Sequence, residues 1–456
     1  MTGIIHKYKL RGFNIVVDTN SGGVHLVDDV VYDLLDHTEP PFAGEIPSTA
    51  VESLSGRYTR DELSDAYAEL RTLYENDVLY SEDDYQKFAN MMVSAPIKSM
   101  CLHVAHDCNL RCKYCFASTG DFGEGRKLLD VETGKKAIDF LLEHSKGRHN
   151  LELDFFGGEP LMNTPVIKEV VKYARSKEKE YNKKFRFTTT TNGVLLDDET
   201  IDYLNDEMYN IVLSIDGRKE VNDRMRPAVN GKGSYDVIMP RFKKFVQKRG
   251  DGQYYVRGTY TKYNLDFAED VKHFYEEGFD QISVEPVVTD PKMAYALTEE
   301  DLPRINEEYE RLADYIIEKK RNGEQINFFH FMLDLDQGPC AIKRLRGCGC
   351  GNEYVAVTPD GDIYPCHQFV GMEEWKMGSV HDGSLDRKMK DDFARVNVYS
   401  KDECQKCWAK FYCSGGCNAN NFQYAGDVRK PFRLSCDLEK KRLECAIMIK
   451  AALAQE

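Results

Sequence analysis

The run His106-Asp107-Cys108-Asn109-Leu110-Arg111-Cys112-Lys113-Tyr114-Cys115-Phe116 decides how this chain is read. Its C-x3-C-x2-C spacing supplies three thiolates from one short loop, one fewer than a [4Fe–4S] cluster takes. A cluster held this way keeps one iron open for a small molecule, and an aromatic residue beside the last cysteine can cover it. Three buried thiols or a partial zinc site is the plain alternative. Closed zinc sites draw four ligands from paired C-x2-C blocks, and no such pair lies nearby.

Working outward, Gly157-Gly158-Glu159-Pro160 follows the apolar run Leu153-Asp154-Phe155-Phe156. A glycine pair at a strand end lets a ligand approach the backbone, and proline stops the ladder there. Thr190-Thr191-Asn192-Gly193 and Ser214-Ile215-Asp216-Gly217 end the next two β-type runs with polar side chains. Six such runs occur, at 100–104, 151–156, 185–191, 211–215, 254–260 and 282–288, with amphipathic helical stretches between most of them. That alternation predicts a parallel sheet in an α/β fold, and six units suit an open or partial barrel. Ligands gather at the C-terminal strand ends of such sheets, where each of these motifs falls.

Together the three-cysteine loop and Gly157-Gly158-Glu159-Pro160 closely resemble the radical S-adenosylmethionine (SAM) enzymes. The resemblance implies that Cys108, Cys112 and Cys115 hold a [4Fe–4S] cluster whose open iron chelates SAM. An electron from the cluster then releases a 5′-deoxyadenosyl radical. Gly157, Gly158 and Glu159 would hold the methionyl ammonium, with Asn192 and Ser214 near it. Arg226 or Arg257 would pair with the SAM carboxylate, as arginine suits bidentate contacts. Cys101 reads as a buried core thiol.

Ten of the fourteen cysteines lie from Cys340 onward. Cys404, Cys407, Cys413 and Cys417 follow the pattern C-x2-C-x5-C-x3-C, and Cys436 comes after. Upstream, Cys348 precedes the G-x4-C element Gly361-Asp362-Ile363-Tyr364-Pro365-Cys366. Thiolate-rich sites select Fe–S clusters or zinc. The seven-cysteine order resembles the SPASM extension of radical SAM enzymes, which carries two auxiliary [4Fe–4S] clusters. By that resemblance Cys404, Cys407, Cys413 and Cys436 complete one cluster, while Cys348, Cys366 and Cys417 hold the other. The fourth ligand of the latter is Cys340, Cys350 or a substrate cysteine. Cys445 falls outside the pattern and reads as structural. Related sulfatase-maturing enzymes carry an acidic residue after the G-x4-C cysteine, where this chain has His367.

At the N-terminus, β-type runs at 13–17 and 24–27 flank the hairpin signal Asn20-Ser21-Gly22-Gly23. Thr59-Arg60-Asp61-Glu62 is a capping box before apolar positions at helical spacing, and Val78-Leu79-Tyr80 suits a wing strand. This α+β unit resembles the winged-helix leader-recognition domain of peptide-modifying radical SAM enzymes, which adds a precursor peptide's leader to a sheet edge. Three segments result: 1–90 the leader-recognition unit, 91–310 the partial barrel and 311–456 the SPASM domain.

Bulk charge supports a protein or small-molecule partner. The formal net charge is -15, which disfavours nucleic acid. No signal-peptide pattern or membrane-length apolar run is present, so a cytoplasmic enzyme is expected, and its cysteines read as metal ligands rather than disulfides.

The whole architecture looks most like the maturases of SCIFF peptides, small cysteine-rich ribosomal peptides given a thioether between sulfur and an α-carbon, threonine's in that family. A leader-bound precursor peptide and an electron donor such as flavodoxin or ferredoxin are the implied partners. Formylglycine formation and epimerisation are the nearer rivals; a non-catalytic Fe–S peptide-binding or electron-carrier protein is the further one.

Overall fold

A computed structural model describes residues 3–91, 94–335 and 341–454. The chain begins with an antiparallel three-stranded sheet of β1 (Ile5–Leu10), β2 (Phe13–Asp18) and β3 (Val24–Val27), in that order. Gly22, at φ +77°, turns the expected hairpin between β2 and β3. Helices Asp29–Leu34, Ser48–Leu54 and Arg60–Glu75 cover one face, burying Val16, Val31, Leu34, Leu63, Tyr67 and Leu70 together. The capping box forms: Glu62 N donates to Thr59 Oγ1 at 3.3 Å, and Thr59 N to Glu62 Oε2 at 2.8 Å.

The expected wing strand is absent. Asp77 and Tyr80 both adopt positive φ, 57° and 53°, so the chain coils where a strand must stay extended. Leu79 is buried there, and the Asp18 carboxylate accepts from Ser81 N at 3.0 Å. The segment is a plug rather than a wing.

The larger sheet is built from β4 (Ser99–His106), β5 (Lys127–Leu128), β6 (Asn150–Gly157), β7 (Lys184–Thr191), β8 (Met208–Ser214), β9 (Gln253–Tyr260), β10 (Gln281–Pro286) and β11 (Asn327–Phe328). Its order is β11-β10-β9-β8-β7-β6-β4, all parallel, with β5 antiparallel on β4. Alternation along each strand separates two faces. On β6, Leu151, Leu153 and Phe155 are fully buried, while Asp154 and Phe156 turn to the more accessible face. Amphipathic helices such as Val131–His144 and Thr164–Tyr181 pack against that apolar set. Asp130 caps the first by accepting from Thr133 N at 2.9 Å.

The cysteine-rich segment joins the same sheet. β12 (Tyr354–Val357) pairs parallel with β4, and β13 (Asp362–Tyr364), β14 (Gly378–Ser379) and β15 (Ser384–Leu385) continue it antiparallel. Thus the sheet crosses residue 310 in both directions, because β11 also pairs with β10. The last helix, Arg433–Ala454, packs on helix Leu302–Arg321 and on β1. Among the described residues no helix is long and apolar enough to cross a membrane.

Candidate functional site

Past the C-terminal end of β4, the chain forms a loop carrying Cys108, Cys112 and Cys115, pinned from two sides. Arg111 N donates to Pro227 O at 2.7 Å and Lys113 N to Met225 O at 2.9 Å. Opposite, Gly158 N donates to Ala105 O at 2.8 Å and Glu159 N to Asp107 O at 2.9 Å. The glycine pair serves that second seam. A Cβ on Gly157 would stand 2.1 Å from Ala105 O, and one on Gly158 2.2 Å from Asp107 O. What the two glycines admit is first of all the cysteine loop's own backbone.

Glu159 is buried, 1% exposed. Its Oε1 accepts from Thr191 Oγ1 at 2.7 Å and Leu161 N at 3.1 Å, and its Oε2 from Asn192 N at 2.8 Å. Burial raises its pKa while these bonds pull the other way. The carboxylate ties the ends of β6 and β7 together and keeps acceptor capacity on Oε2. Asn192 extends the tie: its Nδ2 donates to Asn109 Oδ1 at 2.7 Å and lies 3.6 Å from Cys108 Sγ.

Asp216 is a second hub, one the sequence reading passed over in favour of Ser214. Tyr114 OH lies 2.7 and 2.8 Å from its two oxygens, and Thr259 N donates to Oδ1 at 3.1 Å. Arg226 Nη1 donates to Tyr114 OH at 2.9 Å and stands 3.8 Å from Asp216 Oδ1. Burial pushes Asp216 up to about 6, against Arg226 and Tyr114. Arg226 Nε is buried with no hydrogen-bond partner. Ser214 ends β8, half-buried and level with Arg257.

Arg257 itself is committed elsewhere. Its Nε and Nη2 grip Glu285 Oε1 and Oε2 at 3.2 and 2.6 Å. Burial opposes ionisation of Glu285, yet Arg257 and then His330 hold it at about 2. The arginine expected as a partner for a SAM carboxylate is thus paired with Glu285 in this structure. Its side chain remains 47% accessible. His367 stands near it: its ring lies 5.0 Å from Phe156 and 5.4 Å from Phe116, and Nδ1 is 3.2 Å from Tyr354 OH. Burial, and then the Arg257 charge, lowers His367 to about 4, leaving a neutral imidazole near pH 7.

The remaining cysteines form two groups. Cys350 is buried, its thiol hydrogen-bonded to that of Cys366, and the charges of Cys348 and Cys417 act on it. Cys404, Cys407, Cys413 and Cys436 likewise act on one another. Cys340 lies outside the described residues. Cys101 is buried beside Tyr354 and Asp154, and Cys445 is buried in the last helix.

These donors suit iron–sulfur clusters and SAM. Burial raises Cys108 and Cys112 to about 12 and 11, the latter against the charge of Arg226; thiols held this way ionise when a metal replaces the proton. Arg226, whose charge acts on Cys112, leaves its Nε without a hydrogen-bond partner. Among the described residues no three groups close around a single point as one metal ion needs. A four-iron cluster asks for something else, since each thiolate bonds a different iron and the sulfurs stand apart.

Comparison with known proteins agrees. Residues 102–276 match the radical SAM superfamily, and residues 348–408 the SPASM iron–sulfur cluster-binding domain. A protein of Methanocaldococcus jannaschii is 30% identical over 295 residues, 63% of this chain and 90% of that one. A cysteine-type anaerobic sulfatase-maturating enzyme of Clostridium perfringens is 23% identical over 340 residues, 71% of this chain and 89% of its own. The crystal structure of Streptococcus suis SuiB bound to precursor peptide SuiA superposes with a TM-score of 0.51 at 18% identity, over 93% of this chain and 97% of that one. With a cluster-and-SAM barrel and auxiliary Fe–S sites welded to one sheet, the chain belongs to the radical SAM superfamily as an enzyme with a SPASM domain.

Proposed function

We propose that this enzyme matures a cysteine-rich precursor peptide by joining a cysteine sulfur to the α-carbon of an acceptor residue, threonine by family resemblance. Cys108, Cys112 and Cys115 hold the SAM-binding cluster, with Gly157, Gly158, Glu159, Asn192, Ser214 and Arg226 around SAM. Cys348, Cys350, Cys366 and Cys417 hold one auxiliary cluster, and Cys404, Cys407, Cys413 and Cys436 the other. When bound, these groups supply hydrogen-atom abstraction and a place for one electron.

The protein's own part is to hold the peptide and keep water out. Of the two edge strands of the N-terminal sheet, β1 sets side chains against the C-terminal segment: Tyr8 OH donates to Glu444 O at 3.0 Å, and His6 stacks on Trp408. The β3 edge carries no further strand among the described residues, with His25 Nε2 2.8 Å from Val78 O beside it, and a leader added there as a strand gains main-chain hydrogen bonds. The relative bound to a precursor peptide supports that reading. With Cys350 as fourth ligand, the first auxiliary cluster is closed, and the substrate thiol stands near it rather than on it. An external electron donor of the flavodoxin or ferredoxin kind completes the system.

One observation carries thioether formation over formylglycine formation. Directly after Cys366 stands His367, a neutral imidazole between Phe156 and Phe116, where sulfatase-maturing enzymes carry an acidic residue. The test is anaerobic incubation of the reconstituted enzyme with SAM, reductant and a small cysteine-rich peptide encoded beside its gene. Loss of two hydrogens with one fewer alkylatable thiol is expected. An aldehyde, or a product with every thiol still alkylatable, overturns the thioether.

A further inference from the structure

Lys401 is among the most deeply buried cations of the chain, 1% exposed. An ammonium taken out of water loses several kcal/mol of hydration unless an anion faces it. Among the described residues no carboxylate lies within ion-pair distance of its Nζ. Instead Nζ donates to Gly415 O at 2.7 Å and to Asn418 Oδ1 at 3.2 Å, leaving a third N–H unspent. Both acceptors flank Cys417, and Gly415 lies between Cys413 and Cys417. These two cysteines belong to different auxiliary groups, so the lysine sits at the short bridge between them.

Local backbone is shaped around it. A Cβ at Gly415, whose φ is +83°, would come within 3.1 Å of Lys401 Cδ and Nζ. Asn421 Nδ2 donates to the same Gly415 carbonyl at 3.2 Å, fixing the acceptor from the other side. The ionisable groups that act on Lys401 are thiols of both sets, anionic only once they bind metal: Cys404, Cys413 and Cys436 from one, Cys417 from the other. Burial lowers its pKa, and these four sulfurs pull the other way. A structural clamp needs only the two hydrogen bonds, which a neutral side chain makes equally well. A fixed charge at this point does something more, because net charge and hydrogen bonding near the sulfurs set cluster potentials.

We propose that Lys401 is the shared counter-ion of the two auxiliary clusters, holding the reduction potentials of both up so that they accept an electron readily. This rests on reading the eight C-terminal cysteines as ligands of two clusters. A reduced cluster carries one more negative charge than an oxidised one, and a buried cation stabilises the former more.

The test is an EPR-monitored redox titration of reconstituted wild-type, Lys401→Met and Lys401→Arg enzymes, with iron and sulfide counted in each. Expected are full cluster content throughout, auxiliary signals of Lys401→Met displaced to more negative potential, and Lys401→Arg close to wild type. The SAM-binding cluster, remote from Lys401, stays put as internal reference. Unmoved auxiliary potentials in Lys401→Met overturn the proposal. So does loss of auxiliary iron from Lys401→Met and Lys401→Arg alike, which marks a clamp specific to lysine. Wild-type enzyme with no auxiliary iron would instead sink the cluster reading on which the proposal stands.

Discussion

His6 of β1 stacks face to face on Trp408, with ring centroids 4.1 Å apart and planes 5° from parallel. Trp408 directly follows Cys407, so a strand of the N-terminal sheet rests against an auxiliary cysteine group. His6 Nε2 also contacts Glu444 Oε1 at 2.9 Å on the last helix. Asp83 makes a second join, pairing with Lys410 Nζ at 2.7 Å.

The stack makes the N-terminal sheet a supported element. A stacked aromatic pair contributes about 0.5–1.5 kcal/mol beyond its buried area. His6→Ala is expected to lower resistance of segment 1–90 to limited proteolysis and to loosen peptide binding, with iron content unchanged. Tryptic cleavage rate and peptide affinity on the same preparation check this. Equal rates in mutant and wild type would show that other contacts hold the sheet.

Gly157 and Gly158 make a sharper case. Added methyl groups there would overlap backbone oxygens of Ala105 and Asp107 at 2.1 and 2.2 Å, and backbone gives way less easily than a side chain. Gly157→Ala and Gly158→Ala are each expected to cost roughly 4 kcal/mol or more of local stability. The cysteine loop should lose its cluster while the auxiliary iron is retained. Iron counts before and after the substitution decide it.

The sheet was legible in advance because the β-type runs alternate with amphipathic stretches and the first four end in motifs; β4, β6, β7, β8, β9 and β10 fall where those runs lie. β1 escaped because Lys7 and Lys9 interrupt its apolar pattern; in the fold Lys7 Nζ finds Tyr32 O at 2.6 Å. The strand at Val78-Leu79-Tyr80 failed for the opposite reason, an apolar triplet bounded by left-handed backbone at Asp77 and Tyr80. At the site, spacing brought out the thiols but not their neighbours. Tyr114 lies 102 residues from Asp216 and 112 from Arg226, and the fold of the sheet brings them together. Arg257 misled because a lone arginine reads as a ligand clamp until its partner, Glu285 on the next strand, is seen.

Asp154 carries a pH signature. Burial pushes its carboxyl up to about 6, against the Thr188 hydrogen bond at 2.7 Å and the Arg257 charge. A folded-state pKa above the unfolded value, near 3.8, means that the folded protein binds the extra proton. This group's contribution is then most favourable below about 3.8 and is lost as pH rises through about 6. Asp154→Asn, which keeps an acceptor for Thr188, should be more stable than wild type at pH 7–8, with the gap closing on acidification. Denaturant midpoints across that range check it. A gap that widened at low pH would mean the carboxylate is stabilising as an ion.

Cys350 gives the most direct reading of the first auxiliary site. Its thiol is hydrogen-bonded to Cys366 and feels Cys348 and Cys417, whereas the buried Cys101 has Tyr354 and Asp154 for company. Burial alone therefore does not mark a ligand; the company of other thiols does. Cys350→Ser should remove iron and sulfide from one auxiliary cluster or convert it to a labile form, and Cys101→Ser and Cys445→Ser should leave the count intact. Oxygen exchanges poorly for sulfur at iron, a soft-ligand preference, so the loss should be clear in iron analysis and in the Mössbauer or EPR signal. If Cys350→Ser retains all its iron, the fourth position of that cluster belongs to another group. The substrate thiol would then regain its claim to bind iron directly.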